Sequence, residues 1–88
     1  MVWRVEFDPR AVDELERLDR QAQRDIVRYL KERIATAEDP RRFGKPLRRD
    51  MAGLWRYRVG DHRIVCEIRN VEVVVFVLRV AHRREVYG

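Results

Sequence analysis

The sequence predicts a small α+β domain: a strand, a helical hairpin and three more strands, in a mainly antiparallel sheet with the hairpin packed on one face. Three observations carry this. Apolar residues alternate over residues 2–7, 54–59 and 63–69, the period of half-buried strands. Between the first two of these runs, Ala22, Ile26, Leu30 and Ile34 recur at helical spacing, with Val27 and Ala37 flanking them. Residues 71–80 are apolar at almost every position, as a central strand covered on both faces is.

In the first strand, Trp3, Val5 and Phe7 point one way and Arg4 and Glu6 the other. Asp8-Pro9 then starts a helix, because the carboxylate can accept a free amide and proline lacks a donor that the first turn does not need. Ala11, Leu15 and Leu18 line that helix, and Asp19 caps the next. Asp25–Arg28 and Arg28–Glu32 are surface pairs worth a few tenths of a kcal/mol each. Asp39-Pro40 ends the second helix, since a residue before proline is pushed out of the α region. Residues 40–52 form a semi-ordered loop, with Phe43, Leu47 and Met51 pinned to the body and the basic side chains outside.

The second half closes the sheet. Trp55, Tyr57 and Val59 share one face of their strand, and Arg56 and Arg58 take the other. Gly60-Asp61 supplies a tight hairpin turn. On the returning strand Ile64, Cys66 and Ile68 face the helices, and Arg63, Val65 and Glu67 do not. Asn70 marks the last turn. Residues 1–88 are read as one domain.

Composition narrows the function. No apolar run is long enough to span a bilayer, and Asp8, Arg10, Asp13 and Glu14 interrupt the start where a signal peptide would need apolar residues. One cysteine, Cys66, rules out an intrachain disulfide and a multi-cysteine zinc site. A cytoplasmic protein without a membrane partner is expected. Residues 1–39 hold 8 basic and 10 acidic side chains, whereas residues 40–88 hold 12 and 5. A basic excess confined to one half favours a polyanionic partner, nucleic acid first.

Period two then places the chemistry. Arg56, Arg58 and Arg63 share the face that the helices leave open, and Arg83 and Tyr87 follow the last strand. Arginine's planar fork donates two parallel hydrogen bonds to phosphate oxygens, and an aromatic ring stacks on a base. RNA can be cut with neither metal nor cofactor when its own 2′-hydroxyl attacks the adjacent phosphorus, if the protein moves protons and neutralises the transition state. No cluster has metal-ligand spacing, and His62 and His82 lie far apart in sequence. Lys45, Arg48, Arg49 and Arg84 read as contacts to RNA phosphates.

At these residues the chain resembles a family. The segments FDPRAVDELERL, KPLR, WRYRVGDHRIVCEI and VVVFVLRVAHRREVY, in this order, are similar to RelE-type toxins of the RelE/ParE superfamily. The resemblance implies a ribosome-dependent mRNA endonuclease of a type II toxin–antitoxin pair. It implies catalytic roles for Arg56, Arg58, Arg63, Arg83 and Tyr87, cleavage in the ribosomal A site, and a cognate RelB-like antitoxin through which the toxin reaches operator DNA. Relatives carry lysines where Arg56 and Arg58 stand. Arginine hardly ever loses a proton, so the base must be another group, Tyr87 or His82. The end at Gly88 leaves no room for the tail helix of some relatives. Two rival readings are a ParE-type inhibitor of DNA gyrase and a degenerate toxin that acts within a DNA-binding repressor complex.

Overall fold

The computed structural model describes residues 1–47 and 53–84. Seven elements follow in order: β1 (Arg4–Phe7), α1 (Pro9–Glu16), α2 (Arg20–Tyr29), β2 (Lys45–Pro46), β3 (Leu54–Val59), β4 (His62–Arg69) and β5 (Val74–His82). The strands form one sheet in the order β1-β5-β4-β3-β2. β1 runs parallel to β5, and the other neighbours are antiparallel. The expected α+β architecture with a mainly antiparallel sheet is the one observed.

Both helices begin as their caps dictate. Asp8 accepts the Arg10 amide at 2.9 Å, and Asp19 accepts the Ala22 amide at 2.9 Å. Each cap satisfies a donor that the first helical turn would leave unpaired. The apolar stripe of α2 enters the core: Ile26, Leu30 and Ile34 are buried with Ala11, Tyr57, Ile64, Cys66, Ile68, Val75, Val77 and Val80. Burying one such aliphatic side chain stabilises the fold by about 1.5–3 kcal/mol. Val27 and Ala37, expected beside that stripe, are exposed.

Three expectations need correction. The second helix does not run to Asp39. After Tyr29 the helix widens into a π-type turn, Leu30–Ile34, and Ala35 leaves the helical region with ψ 61°. The chain exits there because the Thr36 carbonyl accepts the Trp3 amide at 2.8 Å, which ties it to the start of β1. Asp39 instead caps a 3₁₀ turn, Pro40–Arg42, by accepting the Arg41 amide at 2.9 Å. The loop after it contributes a fifth strand, β2, with Lys45 opposite Arg56 and Pro46 opposite Trp55. Two residues carry no period, so alternation could not reveal it.

The last strand also differs. It starts at Val74 rather than Val71, because residues 70–73 form the turn. Val71 is 97% exposed, and the Val73 amide bonds the Asn70 carbonyl at 3.2 Å with Val73 at φ 56°. The strand runs on through Ala81 and His82. It lies between β1 and β4, while β4 holds the middle of the five-stranded sheet. Leu78 is the extra residue where the β4 register shifts, since Cys66 faces Val77 and Val65 faces Arg79. β1 ends opposite Val77, so β5 loses its strand neighbour on that side. α1 fills the gap through Glu14, which accepts the Val80 amide at 2.8 Å and Arg79 Nε at 2.8 Å.

Candidate functional site

The open face of the sheet gathers most of the expected basic residues. Within β3 the odd positions serve the core, and Tyr57 is fully buried. Arg56 and Arg58 must then project from the opposite face. Register brings the others alongside: Arg58 stands opposite Arg63, Arg56 opposite Val65, and Lys45 opposite Arg56. The turn that sets this register has two residues, with Gly60 at φ 59° in its first position, as a type II′ hairpin requires.

Arg83 arrives from a different strand. Its amide donates to the Asp61 carbonyl at 2.8 Å, and its guanidinium lies 4.0 Å from the Asp61 carboxylate. The β3–β4 turn therefore anchors the residue after β5 beside the arginines of β3 and β4. Partial burial, and then the charges of Arg58, Arg56 and Arg83, push the pKa of Arg63 below the usual arginine value. Gly44, Lys45, Arg56, Tyr57, Arg58 and Arg63 line a pocket of about 190 Å³ at this place.

The wall of the pocket is built from the core side. Tyr57 sends its hydroxyl to the Pro40 carbonyl at 2.8 Å, and Trp55 donates Nε1 to the Phe43 carbonyl at 2.6 Å. These two bonds hold the 40–46 segment against β3. Gly44 makes the close approach possible. It adopts φ 74°, and a Cβ there would lie 2.2 Å from the Arg56 carbonyl oxygen. Lys45 owes its place beside Arg56 to this fit. Arg33 and Arg42 stack on the outer side of Phe43, 5.5 and 4.5 Å from its ring centre.

His82 is not brought to the arginines. It pairs with His62 at the end of the sheet, their rings 5.8 Å apart. Both lie two residues from the buried Ile64–Val80 pair and so take the helical side, whereas Arg63 and its partner Ala81 take the other. His82 Nδ1 accepts the Arg84 amide at 3.3 Å, and Arg84 is exposed. Arg48, Arg49 and Tyr87 lie outside the described residues. Among the described residues, no three His, Cys, Asp or Glu side chains converge to hold a metal ion.

Gly44 and Asp61 were missed as parts of the site. A glycine before a lysine in a loop shows its role only once the loop is docked. Asp61 read simply as a turn residue. The assembled surface can bind a phosphodiester through paired guanidinium donors and can stabilise added negative charge on it. Arginines are poor proton acceptors, so the surface by itself supplies charge and position rather than a base.

Residues 5–87 match a family model described as the ParE toxin of a type II toxin–antitoxin system, parDE. Toxin RelG of Mycobacterium tuberculosis is 41% identical over 51 residues, which is 58% of this chain and 59% of RelG, less than two thirds of that relative. Toxin RelE of the same organism is 38% identical over 76 residues, covering 75% of this chain and 77% of that one. The fold superposes on a chain of the M. tuberculosis toxin–antitoxin complex RelBE2 with a TM-score of 0.83 and 30% identity, over 97% of this chain and 95% of that chain. Isolated RelE toxin of Escherichia coli shares the fold alone, at a TM-score of 0.72 and 23% identity, over 91% of this chain and 83% of that chain. The chain thus belongs to the ParE toxin family and is a RelE-type toxin of the type II toxin–antitoxin class.

Proposed function

We propose that this toxin is a ribosome-dependent mRNA endonuclease that cuts in the A site through attack by the RNA 2′-hydroxyl on the adjacent phosphate. One observation carries the reading: Arg56, Arg58, Arg63 and Lys45 share the sheet face opposite the helices, and Arg83 is anchored at its end. In-line attack places extra negative charge on the non-bridging oxygens. Fixed guanidinium groups stabilise that charge without having to reorganise. Proton transfer falls to Tyr87 in this reading, because His82 sits on the other side of the sheet with Nδ1 engaged. Lys45, Arg48, Arg49 and Arg84 hold neighbouring phosphates of mRNA or ribosomal RNA. A RelB-like antitoxin neutralises the toxin and links it to operator DNA. The antitoxin partner is supported by the similarity to a chain solved in a toxin–antitoxin complex.

A second reading is a ParE-type inhibitor of DNA gyrase, since the matched family model is described as a ParE toxin. Purified protein on translating ribosomes separates the two. The nuclease reading expects a cut in the A-site codon that requires ribosomes. Intact mRNA together with blocked gyrase supercoiling would transfer the chain to the second reading. The Arg56→Lys, Arg58→Lys double variant tests the degenerate-toxin reading, which expects cleavage to rise above wild type.

A further inference from the structure

β3 is an edge strand for part of its length. The Leu47 amide donates to the Leu54 carbonyl at 3.2 Å, whereas the Gly53 carbonyl accepts from Ile68 of β4 at 2.9 Å. Even-numbered residues of β3 therefore turn their amides and carbonyls toward β2, and odd-numbered ones toward β4. Arg56 is covered by Lys45. Arg58 is the next even position, and β2 does not extend that far. The chain leaves the ladder at Gly44, and the Phe43 carbonyl is taken by the Trp55 indole. Among the described residues, β2 pairs with Arg56 and Trp55 but not with Arg58, and no turn or loop carbonyl is bonded to the Arg58 amide.

Arg58 lines the arginine pocket, as does Gly44, which stands where the chain leaves β2. The charged side chains around the pocket are those of Lys45, Arg56, Arg58 and Arg63. All are donors, and none can accept a hydrogen bond. An open amide among donors is satisfied only by an acceptor that comes from outside. We infer that the main-chain amide of Arg58 donates to a non-bridging phosphate oxygen of bound RNA, alongside the guanidinium groups. The inference rests on the reading of this cluster as an RNA site, and adds to it a neutral, rigid donor. A strand amide is held in place by its neighbours, so it loses little freedom on binding, unlike four long side chains. It also survives replacement of any side chain, so alanine variants of the arginines cannot detect it.

The test replaces the Tyr57–Arg58 amide by an ester in the synthetic full-length chain, which removes one N–H and keeps the Arg58 side chain. The probes are inorganic phosphate and a three-nucleotide RNA with 2′-O-methyl sugars, which cannot be cut. The ester chain is expected to bind the trinucleotide roughly tenfold or more weakly, the loss of one charge-assisted hydrogen bond. In the unmodified protein, phosphate is expected to move the Arg58 amide proton downfield more than the Arg56 amide, which β2 already covers. Equal binding by the two chains, or an Arg58 amide that moves no more than Arg56, overturns the inference. If the ester chain does not fold, the amide shifts in the unmodified protein decide. A shifted Arg58 amide in a protein that leaves ribosome-bound mRNA intact would keep the phosphate donor and sink the nuclease reading. Ribosome-dependent cleavage with an unmoved amide would do the reverse.

Discussion

At the scale of single residues, the site is held by groups on the core side of β3 and in the segment docked beside it. Tyr57 is fully buried, and burial raises its phenol pKa well above the ordinary value, so it stays a neutral donor to the Pro40 carbonyl. Tyr57→Phe leaves that carbonyl short of a partner. A loss of about 1–2 kcal/mol is expected, read as a melting temperature lower by about 4–8 °C per kcal/mol. An unchanged melting curve would remove this bond from the account. Gly44→Ala forces a Cβ into the Arg56 carbonyl and a side chain into φ 74°. It is expected to cost about 1–3 kcal/mol and, by pushing Lys45 away from Arg56, to weaken phosphate binding as well; calorimetry with phosphate checks the second part. The arginines were legible because period two is enough to sort a strand's faces. Gly44 and Asp61 were not, since their roles depend on which distant backbone lies beside them.

Among elements, the join between α1 and β5 sets where the last strand ends and so where Arg83 begins. Glu14 makes this join with a half-buried carboxylate. Burial alone would raise its pKa, but hydrogen bonds from Arg79 and the Val80 amide outweigh burial and hold it below the usual 4.5. A carboxylate with a depressed folded-state pKa stabilises the fold above its unfolded value, and that contribution fades as pH falls through the folded one. Glu14→Gln is expected to cost about 1 kcal/mol at neutral pH, after solvent screening of the partly exposed Arg79. The gap from wild type should narrow steadily in melts run below about pH 4.5. A gap that stays constant with pH would mean that shape, not charge, makes the join. The helices were legible through their Asp caps and apolar stripe. The π-type turn was not, because the same residues satisfy both helical periods and only the tie between Thr36 and Trp3 decides where the chain turns out. β5 was misplaced by three residues because Val71 and Val73 look like strand residues but sit in a turn.

Across the whole molecule, charge and shape divide the labour. One face of the sheet is covered by helices and supplies the core. The other carries the arginines, whose like charges lie side by side. Burial, and then the charges of Arg58, Arg56 and Arg83, disfavour the charged form of Arg63. Such a cluster is stressed until an anion arrives, a common relation between stability and function. The measurement that bears most directly on this is the rate of a single A-site cut on programmed ribosomes by wild type, Arg63→Ala and Arg17→Ala. Arg17 pairs with Asp13 on the exposed side of α1, so the last variant loses the same charge away from the site. Arg63→Ala is expected to cut about 100-fold or more slowly while melting no lower than wild type, and Arg17→Ala to stay within about twofold of wild type. Equal losses in the two variants, or full activity in Arg63→Ala, would contradict this expectation.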